Sequence, residues 1–215
     1  MLPLYDESAK RTKKSLLVLA LILFNVLMFF LTYFANDFEA IVFEFGLIPE
    51  EIFQGNNLFT LLSSMFLHAD LIHLIGNMWF LWIFGDNLEN NLGLFKFSIF
   101  YILTGIIASL VHIFTVSVQD AWLPVIGASG AISGVLGGYV AFFPRNKIRA
   151  VWPGYFRPYF VSIPAWFYAF VWFIYQLMYA GSVTSIAYMA HIGGFLTGII
   201  LTLPFRKKVR HPVSY

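Results

Sequence analysis

Every Lys and Arg of this chain, thirteen in all, falls at one of four places: residues 10–14, Lys96, residues 145–157 and residues 206–210. Around them run six stretches nearly free of charge, residues 16–34, 71–84, 95–116, 128–143, 163–179 and 186–203. A helical membrane span needs roughly 20 apolar residues, and six spans with short connections use up the 215 residues. If the chain starts inside, the four basic places become the four inside segments, and no Lys or Arg faces out. That is the partition the positive-inside rule requires, and changing the span count by one scatters the charges over both faces. The expected fold is therefore an all-α membrane protein, a bundle of six transmembrane helices with both termini cytoplasmic. Its expected parts are a basic tail over residues 1–14, a membrane domain over residues 15–205 and a second basic tail over residues 206–215.

Composition closes off the alternatives. With 60% hydrophobic and 11% charged residues, the chain is too apolar for a soluble domain of this size. A transmembrane β-barrel would alternate apolar and polar residues, whereas these runs are continuous. The first run follows basic residues as a signal peptide would, but it is too long and no small-residue cleavage site follows. There is no cysteine, which removes disulfides, thiolate catalysis and Cys-bound metals. The connection over residues 36–70 is acidic, contains no Lys or Arg, and is rich in Phe, Leu and Ile. A structureless loop of that length is unusual, so short interfacial helices are expected there.

In a chain of bulky side chains, residues 127–138 stand apart: Gly127, Ala128, Ser129, Gly130, Ala131, Ser133, Gly134, Gly137 and Gly138 are all small. Small residues let helices approach closely in lipid. They also bare the backbone and hydroxyl of Ser129. The topology runs spans two, four and six from the outer face inward, so His73, Asn77, Ser129 and His191 all fall in the outer half of the membrane. Gly194 and Gly198 share a face of span six with the spacing of a helix-packing motif. A histidine beside that face could take the Ser129 proton as its oxygen attacks a carbonyl. His73 and Asn77, at i and i+4, share one face of span two and could join the Ser129 backbone N–H as donors to an oxyanion. Each group also has a purely structural reading, as polar glue between helices, and spacing alone leaves both open. No carboxylate lies at membrane depth beside His191, so any catalytic pair is a Ser–His dyad. No His-Glu-x-x-His motif is present, and neither metal, cofactor nor nucleic acid is expected. The inner halves of the spans are almost wholly apolar, which argues against a channel or transporter path.

Taken together, Gly127-x-Ser129-Gly130 in the fourth span, His73-x-x-x-Asn77 in the second and Ala190-His191-x-x-Gly194-x-x-x-Gly198 in the sixth resemble the rhomboid intramembrane serine proteases. Lesser similarities are Phe66-Leu67-His68, the stretch from Gly85 to Gly93 with Glu89, and Ile163-Pro164-Ala165-Trp166. The resemblance implies a water-filled cavity open to the outer face, with Ser129 as nucleophile and His191 as general base. It puts the oxyanion site at the Ser129 amide, His73 and Asn77, with His68 in a supporting loop network and Gly127 and Gly130 flanking the nucleophile. It implies as substrates the transmembrane segments of other membrane proteins, cut near their outer ends within the lipid bilayer. A non-catalytic relative that binds transmembrane clients is the alternative. Two positions depart from the family: Phe59-Thr60 stand where many members carry Trp-Arg, and Ser133 stands where some carry an aromatic that stacks on the base. The inside-positive pattern points to a multi-pass protein of a prokaryotic plasma membrane, its active site toward the outer face.

Overall fold

The computed structural model describes residues 1–7, 15–154, 157–182 and 186–208; the remaining parts of the two expected basic tails, 8–14 and 209–215, lie outside these. Six helices of 14 to 22 residues occupy the six apolar runs: α1 (Leu16–Tyr33), α5 (Leu71–Leu92), α6 (Leu94–Thr115), α7 (Ser129–Phe142), α8 (Ala165–Tyr179) and α9 (Tyr188–Thr202). The long connection after α1 folds, as expected, into short helices: α2 (Phe38–Phe45), α3 (Pro49–Phe53) and α4 (Thr60–Ser63), the last running into a 3-10 turn. On length and apolarity, Leu16–Tyr33, Leu94–Thr115 and Tyr188–Arg206 qualify as membrane spans, and Thr60–Phe66 with α5 makes a fourth if a 97° bend is allowed. α5 falls short by itself because polar residues such as His73, Asn77 and Asp86 interrupt it. On α1, Leu19, Leu23, Leu27 and Leu31 form an exposed i, i+4 stripe, a surface that lipid accommodates and water does not.

α7 is the hub. Every residue from Ala131 to Tyr139 is buried, so the helix is enclosed on all sides, with α5, α6, α8 and α9 around it. A Cβ on Gly194 or Gly198 would collide with the carbonyls of Gly130 or Gly134, and one on Gly137 with the Phe195 carbonyl. These contacts advance together along both helices, so α7 and α9 run parallel with their backbones touching. α5 is parallel to α7 too, since Gly127 meets His73 near one end and Gly138 meets Leu88 near the other. α6 is antiparallel, with Gly130 against Ala108 and Gly134 against Thr104. At 14 residues, α7 is about 21 Å long, shorter than the roughly 30 Å hydrocarbon core of a bilayer.

At the C-terminal end of α7 lies a feature absent from the sequence expectation, a three-stranded antiparallel sheet in the order β1 (Leu2–Asp6), β2 (Lys147–Trp152), β3 (Tyr159–Pro164). The first strand belongs to the segment expected to be a tail. Its Asp6 accepts hydrogen bonds from the hydroxyl of fully buried Tyr139, at 2.5 Å, and from Asn146 Nδ2, at 3.0 Å. Glu7 meets Arg149 at 3.6 Å. Because α9 runs parallel to α7, the first and the last described residues gather at this same end of the bundle.

One side chain of α5 caps the start of α1. Glu89 accepts from the N–H groups of Leu17 (3.0 Å) and Val18 (2.8 Å), two of the donors a helix start leaves without an internal partner. Replacing Glu89 with Ala strands both donors where Val18 is 1% exposed. The expected loss is about 2 kcal/mol or more, read as a lower thermal midpoint in detergent. A midpoint unchanged from the parent protein would refute the capping role.

Candidate functional site

Ser129 is the first residue of α7 and follows a backbone kink at Gly127, whose φ is 127°. Side chains other than hydrogen avoid that conformation, and a Cβ here would also sit 2.8 Å from His73 Cε1 and Nε2. Gly127 therefore serves twice: it turns the chain into α7, and it lets the His73 ring press on the loop that precedes Ser129. The Gly127 N–H donates to the Ser64 carbonyl at 2.9 Å, which ties this loop to the 3-10 turn before α5.

His191 stands in the first turn of α9, opposite Ser129. Its Nε2 is 2.8 Å from Ser129 Oγ, and its Nδ1 is 2.9 Å from Gln176 Oε1 on α8. One turn before Gln176, the Trp172 ring lies 6.3 Å from the imidazole and is tilted by 34° to it. The α7–α9 contact at Gly130 and Gly194 brings the pair into reach: with any side chain at Gly194, the two helices would have to separate. Ser133, at the position where some rhomboids carry an aromatic, turns its hydroxyl back to the Ser129 carbonyl at 2.7 Å.

α5 brings the other expected groups. Asp70 caps its start, accepting from the His73 N–H at 2.8 Å. Asn77 Nδ2 donates to the His73 carbonyl at 3.0 Å, and Asn77, His73 and Ser129 line one cavity of about 250 Å³ together with Gln176 and Trp172. A larger cavity of about 700 Å³ lies beside the start of α7, and Ser129, His191, His73 and Asp70 all reach it. His68 is fully buried and packs edge-on against the His73 ring, with centroids 5.1 Å apart. Among the described residues, no group of three or more His, Cys, Asp or Glu is arranged to hold a metal ion.

The expected residues thus converge: Ser129, His191, His73 and Asn77 surround one space, with Gly127, Gly130 and His68 packed behind it and Gly194 and Gly198 setting the helix separation. Sequence reasoning missed Gln176 and Trp172. The available signal was that Gln176 is the lone amide or charged side chain in α8, and a polar group at membrane depth calls for a partner.

Residues 55–208 match the family model described as the Rhomboid domain. Among curated proteins, the chain is similar to RHOMBOID-like protein 6, mitochondrial, of Arabidopsis thaliana, 29% identical over 71% of this chain and 45% of that one. It is similar to Rhomboid-like protease 3 of Toxoplasma gondii, 28% identical over 73% of this chain and 55% of that one. Rhomboid protein 1, mitochondrial, of Saccharomyces cerevisiae is 32% identical over 66% of this chain and 40% of its own length. The chain thus spans roughly half the length of these relatives.

Proposed function

The chain belongs to the rhomboid family, and from that premise we propose that it is an intramembrane serine endopeptidase that cleaves transmembrane segments of other membrane proteins. The observation that carries this reading is the 2.8 Å approach of His191 Nε2 to Ser129 Oγ, the geometry of a serine activated by an adjacent base. In the proposed reaction His191 takes the hydroxyl proton as Oγ attacks the scissile carbonyl, and then delivers it to the leaving amine. The carbonyl oxygen, now negative, is held by the Ser129 N–H at the start of α7, where the helix dipole also favours negative charge, and by His73 and Asn77. The acyl-enzyme is hydrolysed by water from the cavity beside the start of α7.

The proposal keeps six spans and puts both chain ends on the inside, the face of the sheet with Lys147 and Arg149, in keeping with the positive-inside rule. Ser129, at the opposite end of α7, then faces the outer half of the membrane. Relatives from a plant, a yeast and an apicomplexan, two of them named mitochondrial, lend no support to a prokaryotic plasma membrane, and no particular membrane is proposed.

A helical substrate hides its amides in internal hydrogen bonds, which lipid makes costly to break. Gly or Pro in the substrate's outer turn should therefore speed cleavage, and Ala or Leu should slow it. The test is reconstitution in liposomes with a designed single-span substrate in both forms. Cleavage of the weak helix ahead of the stiff one supports the reading, whereas capture of both without cleavage would transfer the chain to a client-binding role. In the same assay His73→Ala and Asn77→Ala each lower kcat about 100-fold with KM little changed, the usual effect of removing an oxyanion donor. A change confined to KM would move both residues from the transition state to substrate binding.

A further inference from the structure

We infer that Gln176 is the positioning residue of this site: from α8, its carboxamide oxygen fixes the tautomer and the orientation of the His191 ring. This rests on the serine-protease reading for its kinetic consequence, but its structural content stands apart from it. A neutral imidazole carries one proton, and the hydrogen bond at one nitrogen decides which nitrogen holds it. An amide oxygen 2.9 Å from Nδ1 can only accept, so it selects Nδ1–H and leaves the Nε2 lone pair facing Ser129 Oγ. With the proton on Nε2 instead, the ring could only donate to Ser129 and would be useless as its base.

No other described side chain is placed to do this. The titratable side chains facing His191 from its neighbours are His73 on α5 and His112 on α6, and no carboxylate bonds to the ring. Gln176 is 4% exposed. An uncharged acceptor suits that depth, because a buried carboxylate would carry a far larger desolvation cost than an amide. Trp172, four residues earlier on the same face of α8, bounds the ring from the side. Between them, two residues of α8 supply what neither Ser133 nor any acid provides, and the base is complete only while α8 is docked.

The test pairs a near-isosteric variant without an acceptor, Gln176→Met, with one that keeps it, Gln176→Glu. Two readouts are taken from the full chain in detergent or liposomes: the ¹⁵N spectrum of labelled histidine, with His191 assigned from its own substitution, and kcat and KM for a single-span substrate. The unaltered protein is expected to show His191 protonated at Nδ1. Gln176→Met is expected to lose that preference and to drop kcat about 10- to 100-fold, the worth of one hydrogen bond to a group that becomes charged, with KM nearly constant. Gln176→Glu is expected to retain the Nδ1 proton and most of kcat. If Gln176→Met does not fold, Gln176→Glu decides alone, since loss of the Nδ1 proton there overturns the inference. An unchanged His191 spectrum in Gln176→Met overturns it as well, whatever the rates do. A spectrum that depends on Gln176 in a protein that cuts nothing would uphold the positioning and sink the protease reading.

Discussion

Ser129→Ala is expected to abolish cleavage, by about 10⁴-fold or more, while leaving the thermal midpoint where it was. The substitution removes one oxygen at the start of α7, and the His191 Nε2 it leaves unpaired lines the larger cavity, where water can replace the hydroxyl. His191→Ala should be equally inactive yet differ in stability, because it leaves the buried Gln176 without its hydrogen bond to Nδ1, a loss of about 1–3 kcal/mol. The double variant should cut no more slowly than either single one, since a nucleophile and its base act as a unit. The measurements are initial rates on a single-span substrate in proteoliposomes and melting curves of the same preparations. Residual activity in Ser129→Ala that survives in the double variant would mean that another group does the chemistry.

Gly198→Ala and Gly194→Ala are each expected to cost about 3 kcal/mol. In each case the new Cβ falls on a backbone carbonyl of α7, at Gly134 or Gly130, and a carbonyl cannot swing aside as a side-chain tip can. The helices must part, and a displacement of about 1 Å at a reacting pair costs on the order of 100-fold in rate, so the folded fraction should lose activity too. Gly76→Ala is the control. Its Cβ meets nothing within 4 Å, and a helical Ala is preferred over Gly by about 1 kcal/mol, so its midpoint should hold or rise. Equal melting curves for Gly76→Ala and Gly198→Ala would contradict the close α7–α9 contact.

Charge and side-chain size make much of this molecule legible in its sequence. The basic clusters order the apolar runs, that order makes α5, α7 and α9 parallel, and parallel helices bring His73, Ser129 and His191 to one end. The small residues of α7 likewise announce the contact with α9, because nothing else explains Gly at so many positions in a chain of Phe and Leu. Three features are hidden for physical reasons. The β1–β2 pairing joins residues such as Leu2 and Val151, and no local periodicity reports a partner so distant in the chain. Gly85 suggests the end of a span, yet α5 continues to Leu92. Gly85 is there for close approach, since a Cβ would sit 3.0 Å from Val18 Cγ2, and the extra turns carry Glu89 to the start of α1. Gln176 reads as one polar residue in an apolar run, and its meaning depends on which side of α8 faces His191.

If the chain is the protease proposed above, the brevity of α7 bears on which bonds it cuts. Its first residue is held roughly 21 Å from the sheet end of the bundle, less than a bilayer's full thickness, so the proposed nucleophile would work at a set depth instead of at the membrane surface. Depth then acts as a ruler. A substrate would be cut where its helix crosses that level, with the residues there setting how fast the helix opens and not where the cut falls. Sliding the substrate's apolar stretch outward by one turn should move the cut about four residues along its sequence and leave the distance from the membrane surface unchanged.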